Sequence, residues 1–443
     1  MTDKRRKGRT SPNAFSPEVE LLLKRAAKEA AGKPLGDSLK PQSGSLMSQM
    51  IARMVELAMD EEMTDHLGYE PNERITFDQA HSKGLPRRPN TRNGHTTKSV
   101  VTSYGPVDIE VPRDRLATFA PTTLPKRQSL SQELQERIVA MYTAGMSTRD
   151  IEEHIEEFYG ADLNSDFISR LTVRMDQELI QWRNRPLEAL YPVVLVDAIH
   201  LKVRHTQGVE STAVYQVCAY TDFGVLEILG LYMAPDGQTG ESATFWHKVF
   251  AELHSRGMRD VLILCADGLE GLQKAARAIW PQLYFSPCVV HLVRSSTKYV
   301  ASKDREKVCS SLKQIYQAPS FEAAMEGLDE LERQWKEKYP KVVELWQGHT
   351  LALEGLWSMG PMLRKLIYTT NAIENVHNQQ RKVLKTKRSF PNRDSSLRLM
   401  TLLARKINDK AFNRRTRPDW KQIVAALQIQ FEGRIPENWG SVL

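Results

Sequence analysis

The sequence predicts a mixed α/β core interrupted by an all-helical insertion and preceded by a mostly helical region with one β-hairpin. Three observations carry this. From residue 191 to 300, short apolar runs alternate with helical periodicities in the order βββαβαβα. From about 301 to 361 the pattern is helical throughout, and from 46 to 185 helical segments surround one pair of alternating strands. At 443 residues the chain has room for about three units of ordinary size. Hydrophobic residues at 41% and charged residues at 26% place it among folded globular chains, not fibrous or wholly disordered ones.

The elements follow in order. Residues 1–45 are rich in Lys, Arg, Gly, Pro and Ser, with one short helical candidate at 17–31, and read as a mobile basic arm. Residues 46–66 carry apolar side chains at helical spacing and run out near Gly68, as an amphipathic helix does. Alternating residues on either side of a Gly105-Pro106 turn predict a hairpin over about 97–112. Between 131 and 176 three helices are expected, at 132–143, 147–158 and 165–175, the second opened by a Ser147-x-x-Asp150 capping box. This array resembles a helix-turn-helix, although the 159–164 connection is longer than usual, and an ordinary three-helix bundle is the alternative. On the helix-turn-helix reading, Ser169, Arg170 and Arg174 face the major groove while Phe167, Ile168 and Leu171 hold the helix to its bundle.

The core strands are read at 192–199, 213–221, 225–233 and 261–265, with a further strand and helix around 288–300, and the helices at 241–256 and 271–280. The core then spans 190–300 and 362–412, the insertion 301–361, and a C-terminal tail 413–443. The formal net charge is +7, and residues 381–417 hold 13 Lys and Arg against two Asp, so the basic excess concentrates late in the chain. No apolar run reaches membrane length, no apolar stretch follows the basic N-terminus, and the four cysteines form no CxxC pair. A cytoplasmic protein without membrane association or disulfide framework is expected.

The chemistry is expected from acids in costly positions. Asp197 closes one buried strand and Asp267 another, and an unpaired carboxylate in an apolar setting costs several kcal/mol, roughly, unless a partner takes its charge. Glu374 falls in the first turn of a helix that Thr370 or Asn371 can cap. Asn378, Arg381 and Lys385 share its face, with Lys387 and Arg388 further round, while Ile373, Val376, Val383 and Leu384 point to the core. A solvated helix whose acid pairs with neighbouring cations is the bland alternative. Three carboxylates suit a hard cation, and two Mg²⁺ ions, with Mn²⁺ as substitute, would serve phosphodiester chemistry. Cys288-x-x-His291 could be half a zinc site, but no second half is evident.

The segments Asp197-Ala-Ile-His-Leu-Lys-Val-Arg204, Phe245-Trp246 before Leu253-x-x-Arg256-Gly257, Asp267-Gly-Leu-Glu-Gly271, Cys288-Val-Val-His291-Leu-Val-Arg294 and Tyr368-Thr-Thr-Asn-Ala-Ile-Glu374-Asn resemble the Mutator-type transposases of bacterial insertion sequences. The resemblance runs over most of the chain and is strongest from about 190 to 410. It implies a ribonuclease-H-like core with an Asp197, Asp267, Glu374 triad, a helical insertion before the last acid, and Cys288, His291 and Arg294 in support. It also implies a DDE transposase that binds inverted terminal repeats, cleaves and transfers strands of double-stranded DNA, and acts as a homodimer or higher homo-oligomer, nucleoid-associated when bound. Trp335, Trp346 and Trp357 of the insertion read as packing residues, with stacking on a flipped base as the alternative for one of them. The competing functions are a catalytically silent DNA-binding regulator and a structure-selective nuclease of the same fold.

Overall fold

The computed structural model describes residues 24, 28, 45–73, 75–76, 82–84, 86, 89–126, 128–174, 176–205, 208–235, 242–267, 270–368, 371–413, 417–437 and 439. The arm and its 17–31 helical candidate lie outside these residues, apart from Lys24 and Lys28, which are helical. The chain divides into two compact units, 1–173 and 174–443.

In the first unit, helix α1 (Leu46–Leu67) starts on the Ser45 side chain, which accepts from the Ser48 N–H, and stops at Gly68 with φ 77°. Strands β1 (Arg92–Thr102) and β2 (Gly105–Asp114) form an antiparallel hairpin. Met59 of α1 packs on Val100, Val107 and Ile109. The turn is not at Gly105-Pro106 as expected. Ser103 and Tyr104 make it, and Pro106 already pairs with Val101 in the ladder. Gly105 enters β2 with φ 97°, a backbone angle that suits a residue without Cβ. Helices α2 (Gln132–Thr143), α3 (Thr148–Tyr159) and α4 (Ser165–Arg174) lie where expected, and Ser147 and Asp150 form the capping box. Leu134, Ile138, Ile151, Ile155, Ile168 and Leu171 are among their buried residues.

The second unit opens with a helix that the sequence pattern did not predict, α5 (Asp176–Arg183), tied to the core by Arg398, whose Nε and Nη2 donate to the Asp176 carboxylate at 2.6 and 2.8 Å. Strands β3 (Leu190–His205), β4 (Gly208–Tyr220) and β5 (Leu226–Tyr232) form the antiparallel meander. Helix α6 (Ala243–Ser255), strand β6 (Asp260–Ala266), helix α7 (Glu270–Ile279), strand β7 (Tyr284–Pro287) and helix α8 (Val289–Thr297) follow, in the expected order. The sheet runs β5-β4-β3-β6-β7, with β6 parallel to β3 and β7 parallel to β6. One face packs on α6 and α7 through Val194, Val196, Val217, Trp246, Phe250 and Leu264.

Strand β3 is twice as long as its apolar run. Residues 190–196 are buried on both faces, as a covered strand must be, and from Ile199 on buried and exposed residues alternate. Asp197 therefore sits inside the strand, not at its end, because β3 and β4 continue together as a long hairpin, pairing as far as His205 and Gly208. The parallel ladder with β6, however, stops at Leu195 and Cys265, two residues before Asp197 and two before Asp267. Asp197 thus stands where the parallel part of the sheet ends.

The insertion is helical: a 3₁₀ turn (Ser302–Asp304), α9 (Arg305–Tyr316), α10 (Phe321–Trp335) and α11 (Pro340–Trp357), followed by the unforeseen α12 (Pro361–Tyr368). Trp346 is buried and donates to the Ser296 hydroxyl at 2.9 Å, and Trp357 is buried beside Phe321, so both are packing residues. Trp335 is half-buried and donates to Ser311. Helices α13 (Asn371–Leu384) and α14 (Arg393–Phe412) return to the sheet. The segment 413–443 is not merely a tail. Helix α15 (Trp420–Gln430) buries Trp420, which stacks on Tyr220, donates to the Asp222 carbonyl, and fills the space that a side chain at Gly224 would need. Among the described residues, no helix is long and apolar enough to cross a membrane.

Candidate active site

The face of the sheet opposite α6 and α7 carries Leu195, Asp197, Gln216 and Cys265, since side chains alternate along each strand and Asp197 lies opposite Gln216 in register. Two helices bring further side chains to it. Helix α8 presents His291 and Arg294 at three-residue spacing, and α13 presents Glu374 and His377 likewise. Asp197, Cys265, Cys288, His291, Ile373 and Glu374 line one small cavity. Asp197 and Glu374, far apart in sequence, are thus brought together. Asp267 is exposed just past the end of β6, the strand next to β3, and acts electrostatically on His291.

Asp197 is held from three sides. The Ala198 N–H donates to its Oδ1 at 2.7 Å, His291 Nε2 stands 3.5 Å from Oδ1, and His377 Nδ1 stands 3.3 Å from Oδ2. The two imidazoles differ. His291 is pushed up to about 9 by its hydrogen bond with Cys288, against its burial, and Asp197 and Asp267 add to the shift. His377 is pushed down by burial, with Asp197 partly opposing. The two imidazoles beside Asp197 are thus shifted in opposite directions, His291 toward the cation and His377 toward the neutral ring. Behind them the Cys265 thiol is pushed up by its contact with Cys288, whose own thiol that contact and His291 hold down. Cys288 and His291 are thus joined in one network with Asp197.

Glu374 occupies the first turn of α13, where the positive end of the helix favours a carboxylate. Its Oε1 accepts from Arg294 Nη2 at 2.5 Å. Residues Thr370 and Asn371, expected to cap this helix, have side chains outside the described residues. Among the described residues no three His, Cys, Asp or Glu side chains form a ready metal cage, the oxygens of Asp197 and Glu374 being turned to the imidazoles and to Arg294.

The basic residues after Glu374 stand differently from the expectation. Arg381 is on α13 and exposed, but the helix ends at Leu384, so Lys385, Lys387 and Arg388 lie in the turn beyond it. The reason is Phe390, which bonds β3 through its N–H to the Lys202 carbonyl and its carbonyl to the Arg204 N–H, drawing the chain off the helix axis. Pro391 keeps Phe390 extended. Ile373, Val376 and Leu384 are buried as expected and Val383 half so. The buried face also holds His377 and Gln380, which the four-residue series from Glu374 passes over and the three-residue series finds. In the other unit, Ser169 and Arg170 are exposed on α4, the Arg170 guanidinium lies 6.0 Å from the Phe167 ring, and Phe167 is half-buried. Arg174 ends α4, and its side chain lies outside the described residues.

Comparison with known proteins gives these positions a context. The family model "Transposase, Mutator family" matches residues 26–413. The chain is 34% identical over 385 residues to the transposase for insertion sequence element ISRM3 of Rhizobium meliloti, covering 87% of this chain and 90% of that protein. It is 28% identical over 353 residues to the transposase for IS905 of Lactococcus lactis, 80% of this chain and 86% of that one. It is likewise 28% identical over 344 residues to the transposase for IS256 in transposon Tn4001 of Staphylococcus aureus, 76% and 87% of the two chains. A family match over residues 26–413 and an identity of 34% across 87% of the chain show that the chain belongs to the Mutator family of transposases.

Proposed function

We propose that this transposase binds the inverted terminal repeats of an insertion sequence, hydrolyses a phosphodiester at the element's end, and joins the freed 3′-OH to target DNA, with Asp197, Asp267 and Glu374 as the acids of a ribonuclease-H-like DDE site. The observation that carries the reading is the cavity shared by Asp197 and Glu374 at the end of the parallel ladder, with Asp267 just past the end of the neighbouring strand. Ligands of open α/β sheets settle at such strand ends.

The donor set suits Mg²⁺, with Mn²⁺ as substitute. The three groups are hard carboxylate oxygens, the donors that Mg²⁺ prefers, and those of Asp197 and Glu374 are paired with His291 and Arg294, partners they would exchange for the ion. Asp197, Asp267 and Glu374 would hold the ions, which supply Lewis acidity to the attacking and leaving oxygens of an in-line displacement. The chain's own residues do the rest. His291 keeps a proton beside Asp197 and balances its charge, and Arg294 restrains Glu374 from the α8 side. Arg381, exposed on α13, and Lys385, Lys387 and Arg388 just past it supply cations for the DNA backbone. Arg170 and Arg174 on α4 supply them for base and phosphate contacts at the terminal repeat. Two or more copies acting on paired ends complete the proposal.

The test is strand cleavage of a labelled duplex spanning the boundary of the encoding element, with Mg²⁺, comparing wild type with Asp267→Asn. Loss of cleavage with retained duplex binding supports the reading; cleavage at the wild-type rate removes Asp267 from it.

A further inference from the structure

We infer that His377, Gln380 and Gln216 form a buried polar lock that fixes where helix α13 stands on the sheet and thereby holds Glu374 at Asp197; all three are positioning residues. The inference rests on the reading of Asp197 and Glu374 as acids of the cleavage site. It concerns residues that this reading does not use.

Two rungs join helix to sheet. Asp197 on β3 and Gln216 on β4 lie opposite one another in antiparallel register, so their side chains leave the same face side by side. His377 and Gln380, three residues apart on α13, meet them in the same order. His377 Nδ1 stands 3.3 Å from Asp197 Oδ2. Gln380 and Gln216 bond reciprocally, Gln216 Nε2 donating to Gln380 Oε1 at 2.6 Å and Gln380 Nε2 donating back to Gln216 Oε1 at 3.1 Å. Gln216 and Gln380 are 0% exposed and His377 is 1% exposed.

Two properties make this a register device and not mere packing. First, a helix resting on an apolar face has several nearly equal seats, because dispersion contacts are not directional. Moving α13 by one residue would shift it about 1.5 Å and turn it about 100°, taking His377 from Asp197 and separating both amides while they remain buried. Only one seat satisfies the pair. Second, two leucines of similar size would fill the same volume without any risk of unpaired amides, so the glutamines add specificity of position rather than stability. Glu374 benefits directly. It stands one turn before His377, and its other tie, Arg294, is a half-exposed side chain that does not fix a backbone.

The experiment uses the full chain with a pre-cleaved end duplex. Mn²⁺ binding is read by electron paramagnetic resonance, cleavage on the uncut labelled duplex, and folding by thermal unfolding. The Gln216→Leu/Gln380→Leu double variant should fold and bind the duplex as wild type does. Its Mn²⁺ half-saturation should rise about tenfold and its cleavage fall about a hundredfold, the scale of a 1 Å misplacement. His377→Leu should weaken Mn²⁺ binding similarly. His377→Asn should recover most of it, because the asparagine amide nitrogen lies as many bonds from Cα as Nδ1 does. Wild-type Mn²⁺ binding and cleavage in the double-leucine variant would overturn the lock. Equal losses in His377→Leu and His377→Asn would overturn the part given to His377, and that pair decides alone if the double variant does not fold. Asp267→Asn, run alongside, separates the two levels: wild-type cleavage there sinks the acid assignment, whereas its inactivity beside unimpaired lock variants sinks only the lock.

Discussion

The two units treat a carboxylate at the edge of a sheet ladder in opposite ways, Asp114 buried in the first and Asp197 half-buried in the second. Asp114, at the end of β2 in the first unit, is 4% exposed and saturated by neutral donors: the Thr118 N–H at 3.0 Å and hydroxyl at 2.7 Å, the Phe119 N–H at 3.1 Å, and the Asn90 amide. Burial opposes its charge, yet these bonds outweigh it and hold the carboxyl well below the usual range. Asp197 in the second unit has one short bond, from the adjacent backbone N–H, and two imidazoles at 3.3 and 3.5 Å. A carboxylate whose donors are short, neutral and drawn largely from its own loop closes a structure. One whose partners are longer, titratable and carried on separate helices can exchange them, as the proposed role of Asp197 requires.

The sharpest way to break this contrast is to neutralise both kinds. Asp197→Asn, Asp267→Asn and Glu374→Gln should each reduce cleavage by about a thousandfold or more while duplex binding persists, because the charge that serves the reaction is lost and the cations that meet phosphate are not. Comparable activity in any of the three would remove that residue. Asp114→Asn should leave the chemical step intact at low temperature but destabilise its own unit by about 1–3 kcal/mol, the cost of leaving buried donors unpaired. The sign with pH follows. A depressed carboxyl contributes stability above the unfolded value of about 4 and loses it as pH falls toward the folded value. The protection factors of the β1 and β2 amides, taken relative to the intrinsic exchange rate at each pH, should therefore fall on acidification below about pH 4 in the wild type, and be low already at neutral pH in Asp114→Asn.

Smaller effects divide recognition from attraction between the same units. Arg170→Ala should cost about 1–3 kcal/mol on the cognate end and much less on unrelated duplex. Equal losses would make it a phosphate contact. Changing Arg381 and Lys385 to Ala should shallow the slope of log affinity against log salt by up to about 0.9 for each phosphate that is no longer neutralised. Arg381, on the helix with Glu374, should slow cleavage more than Lys385, which stands in the turn beyond it. An unchanged slope would leave both as solvated surface.

Much of this arrangement is legible in the amino-acid sequence. Asp197 and Asp267 are marked by apolar runs giving way to an acid, and Glu374 by its place after a capping signal, all local patterns. What local pattern does not contain is pairing. Strand β3 runs on past Asp197 because β4 accompanies it, and α13 ends at Leu384 because Phe390 bonds to β3, so helical spacing assigns Lys385, Lys387 and Arg388 to a helix they do not share. Gln216 and Gln380 have meaning only as partners. Trp420 reads as part of a tail because its seat, between Tyr220 and Gly224, exists only in the folded sheet.

Whether the three acids serve cleavage by holding a hard divalent cation is tested most directly by exchanging one oxygen ligand for sulfur. Asp267→Cys is assayed on the labelled element-end duplex with Mg²⁺ and then with Mn²⁺, which tolerates a thiolate better. The expected result is no cleavage with Mg²⁺ and partial recovery with Mn²⁺, with duplex binding unchanged in both. Cleavage at the wild-type rate with Mg²⁺ would contradict a metal-holding role for Asp267 and, with it, the three-acid site.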